Sequence, residues 1–177
     1  DGSGIAELDT FLRELCIVDS RVKYVALSRN VGISGASNEA LGLASGEYIA
    51  LLDHDDELTV DALAAVVAVL TTDSRIDAVY TDQDKTDSRG LVVDTFFKPD
   101  WSPDYFRRVM YVGHLLVVRT SLARRVGGFD SRFDRVQDYE FMLRISEHAT
   151  KIVHVPRVLY HWRAIEGSIA ATADAKG

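Results

Sequence analysis

Asp53, Asp55 and Asp56 lie within four positions, directly after the apolar run Tyr48-Ile49-Ala50-Leu51-Leu52. Carboxylates this close repel one another, and a divalent cation is the simplest remedy. Hard oxygen ligands in that number suit Mg2+ or Mn2+, which in turn suit a diphosphate. The plainer alternative is helix capping, because acidic side chains favour a helix N-terminus. Thr59 and Asp61 already fill that role for a helix expected from Val60 to about Leu70.

The run Tyr48–Leu52 that carries these acids predicts a strand buried on both faces of a parallel sheet, whose end opens onto a ligand crevice. Further strands are expected at Val22–Leu27, Ile76–Thr81 and Val112–Val118, with two closing strands, Ile152–Val155 and Val158–His161, separated by Pro156. Helices are expected after Gly4 (apolar Ile5, Leu8, Leu12 and Leu15), over Ala36–Ala44, over Ser121–Val126 up to Gly127-Gly128, and over Asp138–His148. Phe96–Tyr105, aromatic and punctuated by prolines, reads as a shaped loop. Strands alternating with helices predict an α/β fold with a mixed, mostly parallel sheet flanked by helices.

A chain of 177 residues fits a single domain. Lys plus Arg number 20 against 27 Asp plus Glu, a formal net charge of −7 that argues against nucleic acid as the main partner. Cys16 is the lone cysteine, which excludes an intrachain disulfide and favours a reducing compartment.

Taken together, several segments resemble the inverting glycosyltransferases of family 2, which have the GT-A fold. Asp1-Gly2-Ser3 is similar to the second half of the family's Asp-Asp-Gly-Ser turn. Asn30-x-Gly32 with Ala36-x-Asn38 resembles its nucleotide-side loop and helix, and Gly46–Asp56 its Asp-x-Asp strand. Lys98-Pro99-Asp100-Trp101-Ser102-Pro103-Asp104, Gly113-His114 and Val126-Gly127-Gly128-Phe129 resemble the acceptor-side half. Gln137-Asp138-Tyr139 matches the place of the catalytic carboxylate, and Tyr160-His161-Trp162-Arg163 the closing strand.

The resemblance implies transfer of a sugar from a nucleotide-diphosphate donor to an acceptor hydroxyl with inversion, in polysaccharide or cell-surface glycan synthesis. Asp55 is then the direct ligand of Mn2+ or Mg2+, and Asp53 contacts the donor ribose or a metal-bound water. Asp138 is the general base, its alternative being an N-cap. His161 either completes the metal shell, favouring Mn2+, or is a hydrogen-bonded rim residue. Asp1, Asn30 and Asn38 fall on the donor side. The Asp82-Gln83-Asp84-Lys85 run reads as a solvated loop, with Asp82 and Asp84 near the donor sugar by resemblance. His114 falls on the acceptor side, and Trp101 and Trp162 either stack on sugars or pack in the core.

By the same resemblance, residues 1–90 form the nucleotide-sugar and metal half, 91–166 the acceptor and base half, and 167–177 a tail. Relatives begin with a strand-helix-strand of roughly 30 residues before the point where this chain starts. The expected partners are a glycan or lipid-linked acceptor, a membrane surface contacted peripherally by the longer protein, and a second copy through the exposed sheet edge. The expected location is the cytoplasm, at the inner face of the membrane. Two rivals remain. A phosphatase reading of Asp53-x-Asp55 with Thr59 lacks a convincing later lysine and paired-aspartate motif. The other is a non-catalytic fragment that binds a sugar nucleotide or glycan.

Overall fold

The computed structural model describes residues 4–164. The elements run α1 (Ala6–Val18), α2 (Gly32–Leu43), β1 (Tyr48–Leu51), β2 (Glu57–Leu58), α3 (Ala62–Leu70), β3 (Ile76–Thr86) and β4 (Val92–Phe96). They continue with α4 (Pro103–Phe106), β5 (Leu116–Arg119), α5 (Thr120–Arg125), a 3-10 turn at Ser131–Phe133, α6 (Gln137–His148) and β6 (Lys151–Arg163). No helix among the described residues is long and apolar enough to cross a membrane.

The sheet is ordered β1-β5-β3-β6-β2, with β4 attached to β3. It is mixed, as expected, but its pairings are not mostly parallel: β3–β6 is parallel, and β1–β5, β5–β3, β3–β4 and β2–β6 are antiparallel. The registers give the reason. β1, β3 and β6 do run the same way, as alternating strands and helices require, but β5 is inserted between β1 and β3 in the opposite direction. β1 is accordingly paired on one side among the described residues and only partly buried, with Ala50 exposed and Leu52, just past its end, at 51% exposure, rather than enclosed on both faces. Residues 22–27 have no regular secondary structure and join no ladder among the described residues, so they do not form the expected strand.

Two other expectations are corrected in β3 and β6. Asp82–Lys85 is the second half of β3, not a solvated loop. β4 and β6 flank it, and Asp82, Asp84 and Lys85 are buried. β6 passes through Pro156 as one strand. Its register against β3 shifts between Thr81 and Asp82, so the proline, which has no N–H to donate, falls at an irregularity where none is needed.

One core packs Tyr80, Phe106, Tyr111, Phe141, Met142 and Ile145 together; the other joins Ala62 and Val66 of α3 to Val79, Leu115, Leu159 and Tyr160. Trp101 packs at the first core against Tyr80, Phe106 and Tyr111, so it is not free to stack on a sugar. Full burial of a large apolar side chain contributes about 1.5–3 kcal/mol. Asp61 occupies the N-cap position of α3 but makes no capping bond. Thr59 Oγ1 donates to it at 2.9 Å and Arg157 at 2.5 Å, so the expected cap is an ion-paired surface turn.

α5 ends at Gly127-Gly128, as expected. Gly128 has φ +68°, and a Cβ there would sit 2.3 Å from Asn38 Oδ1. That close approach lets the Asn38 amide clasp the Phe129 backbone from both sides, donating to its carbonyl and accepting from its N–H, each at 2.8 Å. A short recurring device closes other turns. In Asp19-Ser20-Arg21, Asp73-Ser74-Arg75, Asp87-Ser88-Arg89 and Asp130-Ser131-Arg132, the aspartate accepts from both the backbone N–H and the guanidinium of the arginine two positions on.

Candidate functional site

After β1 the chain turns on itself, with Asp56 N–H donating to the Asp53 carbonyl at 3.2 Å. This turn divides the three acids. Asp53 keeps a half-exposed carboxylate, and Asp55, largely covered, lies beside the exposed His54 at 3.7 Å. Asp56 folds inward, where Tyr160 donates to it at 2.5 Å and Arg163 N–H at 2.9 Å. Burial raises the Asp56 carboxyl above the usual range, those two donors oppose the rise, and the Asp53 and Asp55 charges add to it. The crowding expected of three carboxylates is therefore relieved in part by the protein itself, and two remain for a ligand.

Opposite this loop stands His114. Its Nε2 lies 3.5 Å from Asp53 Oδ2, and its ring stacks on Tyr160 with centroids 4.9 Å apart. Its backbone is braced from below. His114 N–H donates to Gln83 Oε1 at 3.1 Å, and Lys98 Nζ donates to the carbonyls of Val112 at 2.6 Å and His114 at 2.5 Å. Gly113, at φ +45°, admits this bracing, since a Cβ would meet Gln83 Oε1 at 2.7 Å. Burial pushes the Lys98 amine down to about 7, with the Asp82 charge opposing. Lys98 opens the Lys98–Asp104 run that carries the family resemblance, but its bracing role was not read there, because it reaches its acceptors only through the fold.

Asp138 is inside the first turn of α6. The N-cap position belongs to Val136, and Asp138 Oδ1 accepts from the adjacent Tyr139 N–H at 2.8 Å, so Asp138 is not the cap. Asp53, Asp55, His114, Asp138, Gln83 and Trp162 all line one cleft of about 610 Å³. An adjoining hollow of about 360 Å³ shares Asp53, His114 and Asp138 and extends between α2 and β1.

The other sequence-predicted residues lie elsewhere or have other partners. Asn30 Oδ1 accepts from Gly32 N–H at 2.8 Å, closing the turn into α2, and Asn38 is engaged with Phe129. Asp82 accepts from Lys98 N–H at 2.9 Å and pairs with His154 Nε2 at 2.8 Å. His161 Nδ1 lies 2.7 Å from Asp84, and neither lines the cleft. Asp1 and the 167–177 tail lie outside the described residues. His154, buried between Asp82 and Asp100 and stacked on Tyr80 at 4.9 Å, went unread in the sequence because its partners lie in distant segments.

Among the described residues no three His, Cys, Asp or Glu side chains converge to hold an ion on their own. The donor set still fits a divalent cation delivered with a diphosphate. Such an ion needs one or two carboxylates and takes its other oxygens from phosphate and water. Asp53 and Asp55, both carboxylates on the cleft wall, supply that number.

The sequence matches the family description "Glycosyl transferase family 2" over residues 1–127. It is 43% identical, over 99% of its length, to 20% of an uncharacterized protein of Sinorhizobium fredii. It is 37% identical, over its full length, to 14% of the O-antigen biosynthesis protein RfbC of Myxococcus xanthus. The chain thus spans a fifth or less of these relatives. Among solved structures, S. aureus TarS 1-349 in complex with UDP-GlcNAc superposes with a TM-score of 0.78 at 18% identity, covering 97% of this chain and 50% of that one. Mannosyltransferase PcManGT of Pyrobaculum calidifontis, in complex with GDP-Man and Mn2+, gives 0.67 at 19%, covering 95% and 47%.

Proposed function

Because the chain belongs to glycosyl transferase family 2 and has its GT-A fold, we propose that it is the donor-binding and catalytic part of an inverting glycosyltransferase in polysaccharide or cell-surface glycan synthesis. The observation that carries this reading is the meeting of Asp53, Asp55 and Asp138 in one cleft, from segments far apart in sequence. In this reading Asp138 accepts the proton of the acceptor hydroxyl as that oxygen attacks the anomeric carbon and the nucleoside diphosphate leaves from the opposite face. Asp55, with Asp53 beside it, holds the divalent cation. Such an ion, when bound, stabilises the charge gathering on the leaving diphosphate. Asn30, Asn38 and Asp82 act as braces of the surrounding loops, and His161 orients against Asp84. Trp162, on the cleft wall, offers a flat face to a sugar ring.

The donor is a nucleotide-diphosphate sugar, in keeping with the ligands of the two superposed enzymes, and the acceptor is a glycan or lipid-linked glycan. The lone cysteine suits the reducing cytoplasm, at the inner face of the membrane where such acceptors are extended. The test is nucleotide affinity with and without Mn2+, measured by calorimetry for the wild type and Asp55→Ala. The wild type is expected to bind UDP or GDP more tightly with the metal, and Asp55→Ala to lose that enhancement. A variant that keeps the full enhancement overturns the assignment of Asp55.

A further inference from the structure

We propose that Arg135 binds a substrate oxyanion in the cleft, a phosphate or carboxylate oxygen gripped by its guanidinium. This goes beyond the donor, metal and base assignments above and rests on the same cleft. Three observations carry it. Arg135 lines the cleft together with Asp53, Asp55 and Asp138. Its guanidinium has no hydrogen bond or ion pair among the described residues, whereas Arg21, Arg75, Arg89 and Arg132 are each closed onto an aspartate two positions upstream. Its backbone is left-handed, at φ +84°, a conformation that costs a non-glycine residue free energy.

The neighbours of Arg135 hold that conformation in place. Asp134 accepts from Ser34 N–H at the start of α2 at 3.3 Å, and Gln137 Oε1 accepts from Arg135 N–H at 2.8 Å. Glycine would sit there without strain, so the loop's shape does not call for an arginine. The charge of the cleft does. Asp53, Asp55 and Asp138 already place three carboxylates around any anionic substrate, and one divalent ion leaves part of that repulsion standing. A planar guanidinium offers a two-pronged grip on a phosphate or carboxylate that a point charge does not. The oxyanion has two available sources, the diphosphate of the donor or an acidic group on the acceptor.

Arg135→Gly and Arg135→Lys separate the possibilities. Glycine relieves the left-handed backbone, so the melting temperature of Arg135→Gly should hold or rise, and any loss of binding is then not a loss of fold. UDP and GDP are titrated first with Mg2+, and inorganic phosphate is then titrated into the nucleotide-saturated protein. A tenfold or greater loss of nucleotide affinity in Arg135→Gly, partly retained in Arg135→Lys, places the oxyanion on the donor. Unchanged nucleotide affinity with loss of phosphate binding to the loaded protein places it on the acceptor side. Equal binding of both probes by wild type and Arg135→Gly, or no binding of either by the wild type, overturns the inference. A wild type that binds phosphate through Arg135 but no nucleotide would sustain it while removing the transferase reading.

Discussion

Tyr160 donates its phenol to Asp56 at 2.5 Å, and the same oxygen lies 3.3 Å from the backbone N–H of Asp53. One side chain on β6 thus fixes both ends of the acid turn, turning Asp56 away from the cleft and leaving Asp53 and Asp55 on its wall. Burial and the bonded Asp56 push this phenol well above its ordinary range, so it stays a donor throughout the working pH range.

Tyr160→Phe should therefore leave the Asp56 carboxylate short of a donor in a buried setting. The expected loss is about 1–3 kcal/mol of stability, read from urea midpoints, together with weaker metal-dependent nucleotide binding as the turn loosens. An unchanged midpoint would mean that the Tyr160–Asp56 bond contributes nothing to holding the turn.

Asn38→Ala separates a latch from a ligand contact. Loss of both bonds to Phe129 should cost about 1–3 kcal/mol while nucleotide affinity stays within a factor of about two, roughly 0.4 kcal/mol. A large drop in affinity at unchanged stability would return Asn38 to the donor pocket.

Asp138→Asn keeps the shape of the α6 first turn but removes the proton acceptor. Turnover with the sugar-nucleotide donor should fall by roughly 10²–10⁴-fold with donor affinity nearly intact. Global unfolding, with no specific loss of rate, would show that Asp138 serves the helix rather than the reaction.

Lys98 gives a pH signature. Its amine titrates at about 7 in the folded protein against 10.5 when free, because of burial. Between those values the unfolded chain holds more protons than the folded one, so stability rises with pH, by up to about 1.4 kcal/mol per pH unit. Below about 7 the cost of burying the ammonium is present in full. Lys98→Met should lose this rise, seen by comparing urea midpoints of the two proteins from pH 7 to 9, where other groups cancel. Parallel curves would refute a depressed Lys98.

The sequence made some of this legible and hid the rest for physical reasons. Helical spacing marked α1, α3 and α6, and Gly127-Gly128 marked the end of α5, because those signals are local. The acid turn drew attention by its chemistry and Asp138 by the family resemblance alone, and both line one cleft. The insertion of β5 between β1 and β3 was not legible, since strand order is set by contacts between distant segments. Asp82–Lys85 looked like a loop because the partners of its carboxylates lie in distant segments, β6 and the chain beyond β4: His154, His161 and the Lys98 backbone. Lys98 was part of a recognised motif, but its bracing of His114 gave no sign in one dimension.

The Asp-Ser-Arg clasps also bear on how a ligand arrives. Each cancels an arginine's charge within a few ångströms, so at a Debye length of about 8 Å these arginines are nearly invisible from solution. In the proposed reading, a sugar nucleotide approaching these 177 residues meets a net charge of −7, by which its own negative charge is repelled outside the cleft. Its association rate should rise as salt is added, the opposite of electrostatic steering. In the proposed reading capture is then undirected until the cleft is reached, where Arg135 and the bound cation supply the attraction.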